Sequence, residues 1–352
     1  MYSTKPLRMW IDGKIFELKN YKKLTIIETL KNVLLKEDIT EEHCSIFEIT
    51  TEENGHFSTT FRLPTMYYIN LHQQIGSNIK LLEIETKTTI LIPKHGQKGK
   101  IKISSPETEG IATARHFIHS VLGTIREKHP AMQFISIPLR NSEISENFEN
   151  FKNEILNNGA IEGIHESIFQ DVKKLHLTVV VFALMDEHEK LEAVKALDDY
   201  KDQVLDPMVA EMGPLKIKLA GIDCMNNNLE KVNILYANAQ VVDANEKKCL
   251  QKIANGISDH FHSRGLVRQY QENVKLHVTL MNTKYRQESS NPSTPKKKGR
   301  WYFRKQTFDA RQIMEKYKDY YFGICDFDSI HLSLISSKGD DGFYKPLSII
   351  TV

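Results

Sequence analysis

The chain has 352 residues, with 47 Lys and Arg against 45 Asp and Glu and 40% hydrophobic residues. That is the composition of a folded protein long enough for two domains; it excludes a disordered tail, a fibre or a uniformly basic nucleic-acid coat, so polyanion affinity has to come from local patches. No run approaches the roughly 18 apolar residues of a membrane span, and the start lacks the apolar core of a secretory signal, so the chain reads as intracellular with no membrane partner. Cys44, Cys224, Cys249 and Cys325 lie far apart with no Cys-x-x-Cys pair, a pattern of free buried thiols rather than of zinc or redox chemistry.

In chain order, Trp10 to Phe16 reads as a hairpin around the Asp12-Gly13 turn signal, followed by a helix over Ile26 to Leu35. An acidic, Thr-rich connection from Glu37 to Glu53 carries no chemistry. From Thr59 to Lys128 the pattern is strand, helix, turn, helix, strand, strand, helix. The strand Thr88 to Pro93 is β-branched and the next, Lys100 to Ser104, alternates with period two, while Ile111, Ala114, Ile118, Val121, Leu122 and Ile125 recur at helical spacing. After Pro130 come strands at 133–137, 175–184, 215–222, 232–242, 274–283, 330–335 and 347–352, with helices near 146–156, 191–197 and 250–261 between the earlier ones. Residues 287–300, rich in Ser, Pro, Asn and Lys, read as a loop.

Two short strings repeat inside strand-like segments: His176-Leu177-Thr178-Val179 and His277-Val278-Thr279-Leu280, each preceded by Lys-Leu. Period two places the His and the Thr of each copy on one face and Leu177 or Val278 on the other. Two such pairs suit a phosphodiester. A neutral imidazole takes a proton from the attacking oxygen, a protonated one gives a proton to the leaving oxygen, and threonine hydroxyls hold the non-bridging oxygens as charge develops. The residue types and spacing call for no metal and no other cofactor. A third string, His331-Leu332-Ser333, fits the same pattern but follows His277 too closely for another lobe, and is read as a structural or edge-strand histidine.

These paired motifs, over roughly residues 130 to 352, resemble the two-histidine (2H) phosphoesterases, which include cyclic phosphodiesterases and RNA ligase-like proteins. The context from Lys174 to Thr178 and from Lys275 to Thr283 is similar to the branch that contains the nuclear-localisation-signal domain of A-kinase anchor proteins. The resemblance implies two pseudo-symmetric α+β lobes, with His176, Thr178, His277 and Thr279 as the catalytic residues and the order of acid and base undetermined.

Ile79 to Ile90 resembles the second helix and following strand of a KH domain, in which a Gly-x-x-Gly turn between two helices clamps about four nucleotides of backbone. Here Gly76 takes the second glycine position and Gln73 the first, with no basic residue between them. Ser77, Asn78, Lys80 and Lys87 follow, and the window 71–105 holds six lysines against two glutamates, so the resemblance implies RNA contacts at Gly76, Ser77, Asn78, Lys80 and Lys87. A KH fold kept for protein contacts is the alternative. Between Met281 and Arg311 nine basic residues face two acidic ones. Tyr285 with Lys296, Lys297, Lys298 and Arg300 can bind and stack single-stranded RNA, and the same lysines also fit a nuclear-import signal or plain solvation.

The expected fold is α+β. It has an N-terminal extension (1–58), a small KH-like βααββα domain (59–128) and a bilobal 2H domain (130–352) with antiparallel sheets lining a central cleft. The succession of the two modules, with Glu83 to Thr88 and Ile92-Pro93-Lys94 in the first, resembles a family in which both occur together. That likeness implies a nuclear, RNA-directed phosphodiesterase subunit working with a helicase-containing complex in transcription coactivation and alkylation-damage repair. A non-catalytic adaptor or RNA reader, keeping the cleft only as a phosphate site, is the alternative.

Overall fold

The computed structural model describes residues 48–76, 79–94, 97–157, 161–242, 249–286 and 307–352, together with the backbone of two short strands, β1 (Leu7–Ile11) and β2 (Lys14–Leu18). β1 and β2 pair antiparallel with Ile11 opposite Lys14, as expected of the hairpin. The helix expected over Ile26 to Leu35 lies outside the described residues, as do Cys44, Ser77, Asn78, Lys296, Lys297, Lys298 and Arg300. The chain divides into two compact units, the first formed by residues 1–129 with 263–266 and the second by 130–262 with 267–352.

In the first unit β3 (Thr50–Thr51), β4 (Phe57–Arg62), β5 (Thr89–Leu91) and β6 (Lys100–Ser105) form an antiparallel sheet in the order β3-β4-β6-β5. Three helices accompany it: α1 (Thr65–Ile75), α2 (Ile79–Thr86) and α3 (Thr108–Arg126). From β4 onward the order is the expected β-α-α-β-β-α. The apolar stripe of α3, from Ile111 to Ile125, is buried with Tyr67, Tyr68, Leu71 and Ile75 of α1 and with Ile101 and Ile103 of β6. The turn differs from the expected one. Gln73, Gln74 and Ile75 continue α1, because Ile75 is a buried core residue, and the backbone leaves the helix only after Gly76, whose N–H donates to the His72 carbonyl at 2.9 Å. α2 ends at Lys87, which adopts the left-handed φ of 51° in a position that favours glycine. The Thr88 N–H reaches back to the Glu83 carbonyl at 3.0 Å and closes the helix end.

The second unit is built on one eight-stranded antiparallel sheet of order β12-β9-β10-β11-β8-β7-β13-β14. Its strands are β7 (Gln133–Pro138), β8 (His176–Phe182), β9 (Lys216–Cys224), β10 (Ile234–Val241), β11 (His277–Asn282), β12 (Tyr321–Asp326), β13 (Ser329–Leu334) and β14 (Pro346–Thr351). The two motif strands, β8 and β11, are neighbours at the centre, with three further strands beyond each of them. The helices are α4 (Ser142–Asn157), α5 (Glu187–Tyr200), α6 (Asp206–Met212), α7 (Cys249–Ser263) and α8 (Arg311–Tyr317), with a π-helical stretch at 201–205 linking α5 to α6.

β12 is a strand that sequence pattern alone did not mark, and α4 explains why it forms. Phe148 and Phe151 of α4 are fully buried, with Phe151 5.3 Å from Phe322; truncating such a phenylalanine costs about 3–5 kcal/mol. At the start of the helix the Asn141 amide donates to the Ile324 carbonyl at 2.6 Å, and the Glu143 carboxylate accepts from the Ile324 N–H at 3.0 Å. Gly323, at φ 143°, lets the strand pass, since a Cβ there would meet Glu143 Oε2 and Ile144 at 2.9 Å. His331 lies on β13, which is flanked by β7 and β14 and is therefore an interior strand, not the edge strand considered from sequence. Cys224 and Cys325 are buried free thiols, whereas Cys249 is partly exposed. No described helix is long and apolar enough to cross a membrane.

Candidate active site

Leu177 of β8 pairs with Val278 of β11, and both side chains are fully buried. In an antiparallel pair, stepping one residue either way sets His176 across from Thr279 and Thr178 across from His277. Two independent alternations thus converge on one face. The buried Leu177 and Val278 fix the register through the core, and the four polar side chains meet on the opposite side of the same strands.

The segment leading into each strand is built to hold its histidine. Before β8, a 3-10 turn at Val172–Lys174 is capped by Asp171, whose carboxylate accepts from the Lys173 N–H at 3.0 Å. Before β11, Gln251 and Asn255 of α7 grip Val274, one donating to its carbonyl at 2.8 Å and the other accepting from its N–H at 2.9 Å. In each case the carbonyl two residues upstream is turned onto the ring. His176 Nδ1–H donates to the Lys174 carbonyl at 2.6 Å, and His277 Nδ1–H donates to the Lys275 carbonyl at 2.7 Å. Because a carbonyl only accepts, both rings carry their proton on Nδ1 and present a bare Nε2. The Thr178 hydroxyl donates to that nitrogen of His176 at 3.1 Å.

The surroundings repeat as well. The Lys174 ammonium sits 4.5 Å from the centre of the Tyr344 ring, whose edge meets His176 at 5.4 Å. The Lys275 ammonium sits 4.2 Å from the Tyr236 ring, which meets His277 at 5.4 Å. Tyr236 lies opposite Thr279 in the β10–β11 ladder, and its hydroxyl donates to Asp223 at 2.9 Å. His176 has two further aromatic neighbours, Phe134 at 5.1 Å and Phe343 at 6.1 Å. Burial is the main force that lowers the pKa of His176, to about 4; the Lys174 carbonyl opposes it, and the charges of His277 and Lys174 add to it. His277 is also lowered, again chiefly by burial, with the Lys275 carbonyl opposing and the Lys275 charge adding. At neutral pH both imidazoles rest uncharged and ready to accept a proton at Nε2.

Of the remaining expected contacts, Tyr285 stands just beyond β11, half exposed, and its hydroxyl accepts from the Gln170 amide at 3.3 Å. Tyr285 and Gln170 also act on Tyr344, whose hydroxyl is pushed up to about 12 mainly by burial. Gly76, Lys80 and Lys87 are exposed on the first unit. Arg311, counted in the basic stretch, is held by Asp309 and Glu230 at 2.6 and 2.8 Å. Among the described residues no three His, Cys, Asp or Glu side chains group as metal ligands. Sequence reasoning missed Phe134, Tyr236, Phe343 and Tyr344, which reach the site from neighbouring strands and from the loop before β14 and belong to no motif.

The model of the AKAP7 2'5' RNA ligase-like domain matches residues 133–352, which includes both motif strands and every element of the large sheet. The chain belongs to this family. Activating signal cointegrator 1 complex subunit 1 of Mus musculus is 32% identical over 332 residues, covering 90% of this chain and 92% of the mouse protein. Among solved structures, TT0787 of Thermus thermophilus aligns at 15% identity and a TM-score of 0.34, covering 62% of this chain and 97% of that chain. The second unit is thus a 2H phosphoesterase-like domain, and the mouse relative shares both units rather than this domain alone.

Proposed function

We propose that the chain is a metal-independent, RNA-directed 2H phosphodiesterase acting on a phosphodiester or a terminal 2′,3′-cyclic phosphate. The observation that carries this reading is the matched pair of imidazoles, each fixed in the same tautomer by its own upstream carbonyl, beside two threonines on one sheet face. His176, half-buried against three rings, is the base that takes a proton from the attacking oxygen. His277, with one ring against it among the described residues, is the group that charges when an anionic phosphate binds, and it gives its proton to the leaving oxygen. Thr178 and Thr279 donate to the non-bridging oxygens.

The exposed Lys80 and Lys87, with Gly76, Ser77 and Asn78 between the first two helices, form the RNA-facing part of the KH-like domain at 59–128. Tyr285, Lys296, Lys297, Lys298 and Arg300 guide a single strand into the 2H domain at 130–352. By its likeness to the mouse subunit, the protein works in the nucleus within a helicase-containing activating signal cointegrator complex, in transcription coactivation and alkylation-damage repair. A second reading, a non-catalytic adaptor, is favoured by one observation: α1 continues through Gln73 to Ile75, leaving no glycine-flanked basic clamp.

The test is cleavage of a labelled single-stranded RNA panel, including 2′,3′-cyclic-phosphate ends, by the wild type and the His176→Ala/His277→Ala double variant with chelator present. Turnover lost in the variant supports the enzyme; RNA bound but uncut by the wild type overturns it in favour of an RNA reader. Because both imidazoles are depressed, kcat/KM should peak on the acid side of pH 6.5. An optimum above pH 8 would contradict the acid and base roles.

A further inference from the structure

Beside the paired motifs lies a third polar group that the proposed chemistry does not use. Ser136 of β7 is the cross-strand partner of Thr178 on one side and of His331 on the other. Directly paired residues carry their Cβ atoms about 4.5–5.5 Å apart on one face, so Thr178, Ser136 and His331 form a row leading away from His176. Ser333, two residues along β13, shares that face. Phe343 covers the row, meeting the His176 ring at 6.1 Å and the His331 ring at 5.5 Å. Beneath it Ser136 and Ser333 are fully buried and His331 nearly so. Among the described residues, Ser136 Oγ, Ser333 Oγ and His331 Nδ1 are buried without a hydrogen-bond partner. Three such atoms in one row are unusual, because buried polar groups are nearly always satisfied.

The hydrogen bonds at both ends of the row define what fits between them. The Ser329 hydroxyl donates to Asp328 at 3.0 Å, so at its 3.1 Å contact with His331 it accepts, and His331 carries its proton on Nε2. His331 Nδ1 is therefore an acceptor. At the other end the Thr178 hydroxyl gives its proton to His176 Nε2 and keeps its oxygen lone pairs free. The two serines have hydroxyl protons to give. The row thus offers two acceptors and two donors spread over three strands, and internal water, which both donates and accepts, is the small polar group that complements them.

We propose that Ser136 and His331, with Ser333 beside them, hold internal water that completes the row up to the Thr178 hydroxyl, making them positioning residues for the His176 half of the site. The resulting chain of hydrogen bonds runs one way from His176 and Thr178 and the other way through His331 and Ser329 to Asp328, at the rim of a cavity of about 190 Å³ that Arg140 and Asp326 also line. It occupies the lone-pair side of the Thr178 hydroxyl and so keeps its proton turned to the site, toward His176 Nε2 in the free protein and toward a non-bridging oxygen once substrate is bound. The kinetic part of this inference rests on the phosphodiesterase reading; the structural part does not.

A high-resolution crystal structure of the full chain should show ordered density within hydrogen-bond distance of both Ser136 Oγ and His331 Nδ1, and a row without it overturns the proposal. Nitrogen-15 NMR of the imidazoles should find His331 protonated at Nε2 and bare at Nδ1, with the Nδ1 signal moving in Ser136→Ala; the opposite tautomer, or an unmoved signal, also overturns it. On cyclic-phosphate-ended RNA, Ser136→Ala should lower kcat about tenfold with KM within about twofold, and Ser329→Ala should act in the same direction. A variant that loses thermal stability but keeps kcat reduces the row to packing and refutes the positioning role. Should the wild type cut no RNA, the phosphodiesterase reading falls, and the density and the NMR signal still decide whether the water is held.

Discussion

His176 and His277 stand on adjacent strands with the same tautomer, the same upstream carbonyl contact and the same lysine-over-tyrosine neighbour, yet they meet different surroundings. Among the described residues three aromatic rings pack against His176, whereas Tyr236 alone stands against His277. Local chain geometry therefore sets which nitrogen is available, and tertiary packing sets how readily it charges. A duplicated motif supplies two equal imidazoles, and packing of different residues around each copy gives them different surroundings.

Removing either ring should have the most severe result. His176→Ala and His277→Ala should each lower kcat/KM by roughly 10²–10⁴, and the double variant should be scarcely worse than either, because the two act as a unit. Additive losses in a steady-state assay would mean they do not. The next effect separates the rings. In the unfolded chain a histidine titrates near 6.5, while folded His176 titrates near 4, so the unfolded state binds the extra proton first. Stability should be flat above about pH 6.5 and fall by about 3 kcal/mol as pH drops to 4. Urea unfolding across that range should show the slope, and His176→Gln should remove more of it than His277→Gln.

Smaller changes probe each ring alone. Tyr344→Leu removes a ring from His176 and the platform for Lys174, and should raise the pKa of His176 while leaving that of His277 in place; NMR titration resolves the two. The mildest variants are Lys174→Met and Lys275→Met, each of which takes a like charge from its own histidine and should raise that pKa slightly. A shift in the wrong ring would show that the two surroundings are coupled.

The paired strands and the sharing of a face by His176 and Thr178 were legible because alternation is a local signal, as were most helices, whose apolar residues recur at a fixed spacing. β12 was not, because Gly323 interrupts its pattern and its support comes from Asn141 and Glu143, far away in sequence. The turn between α1 and α2 was misplaced for a related reason: Gly76 looks like the end of a clamp, but Ile75 is committed to the core and carries the helix to that point. Phe343 and Tyr344 sit in a connection with no periodicity, so nothing local announces that they enclose an imidazole. Ser136 left one faint trace, a lone hydroxyl in a strand whose every residue is buried.

The pairing of Leu177 with Val278 has a consequence beyond placing four side chains. A slip of one residue between these strands would turn His277 and Thr279 toward the core and Val278 toward the polar face. On the proposed phosphodiesterase reading, activity and correct strand alignment are therefore a single property at this seam. A misaligned molecule would be silent in an activity assay even if compact and helical by spectroscopy. Specific activity, followed through refolding, would thus count correctly threaded molecules and ignore those that are merely collapsed.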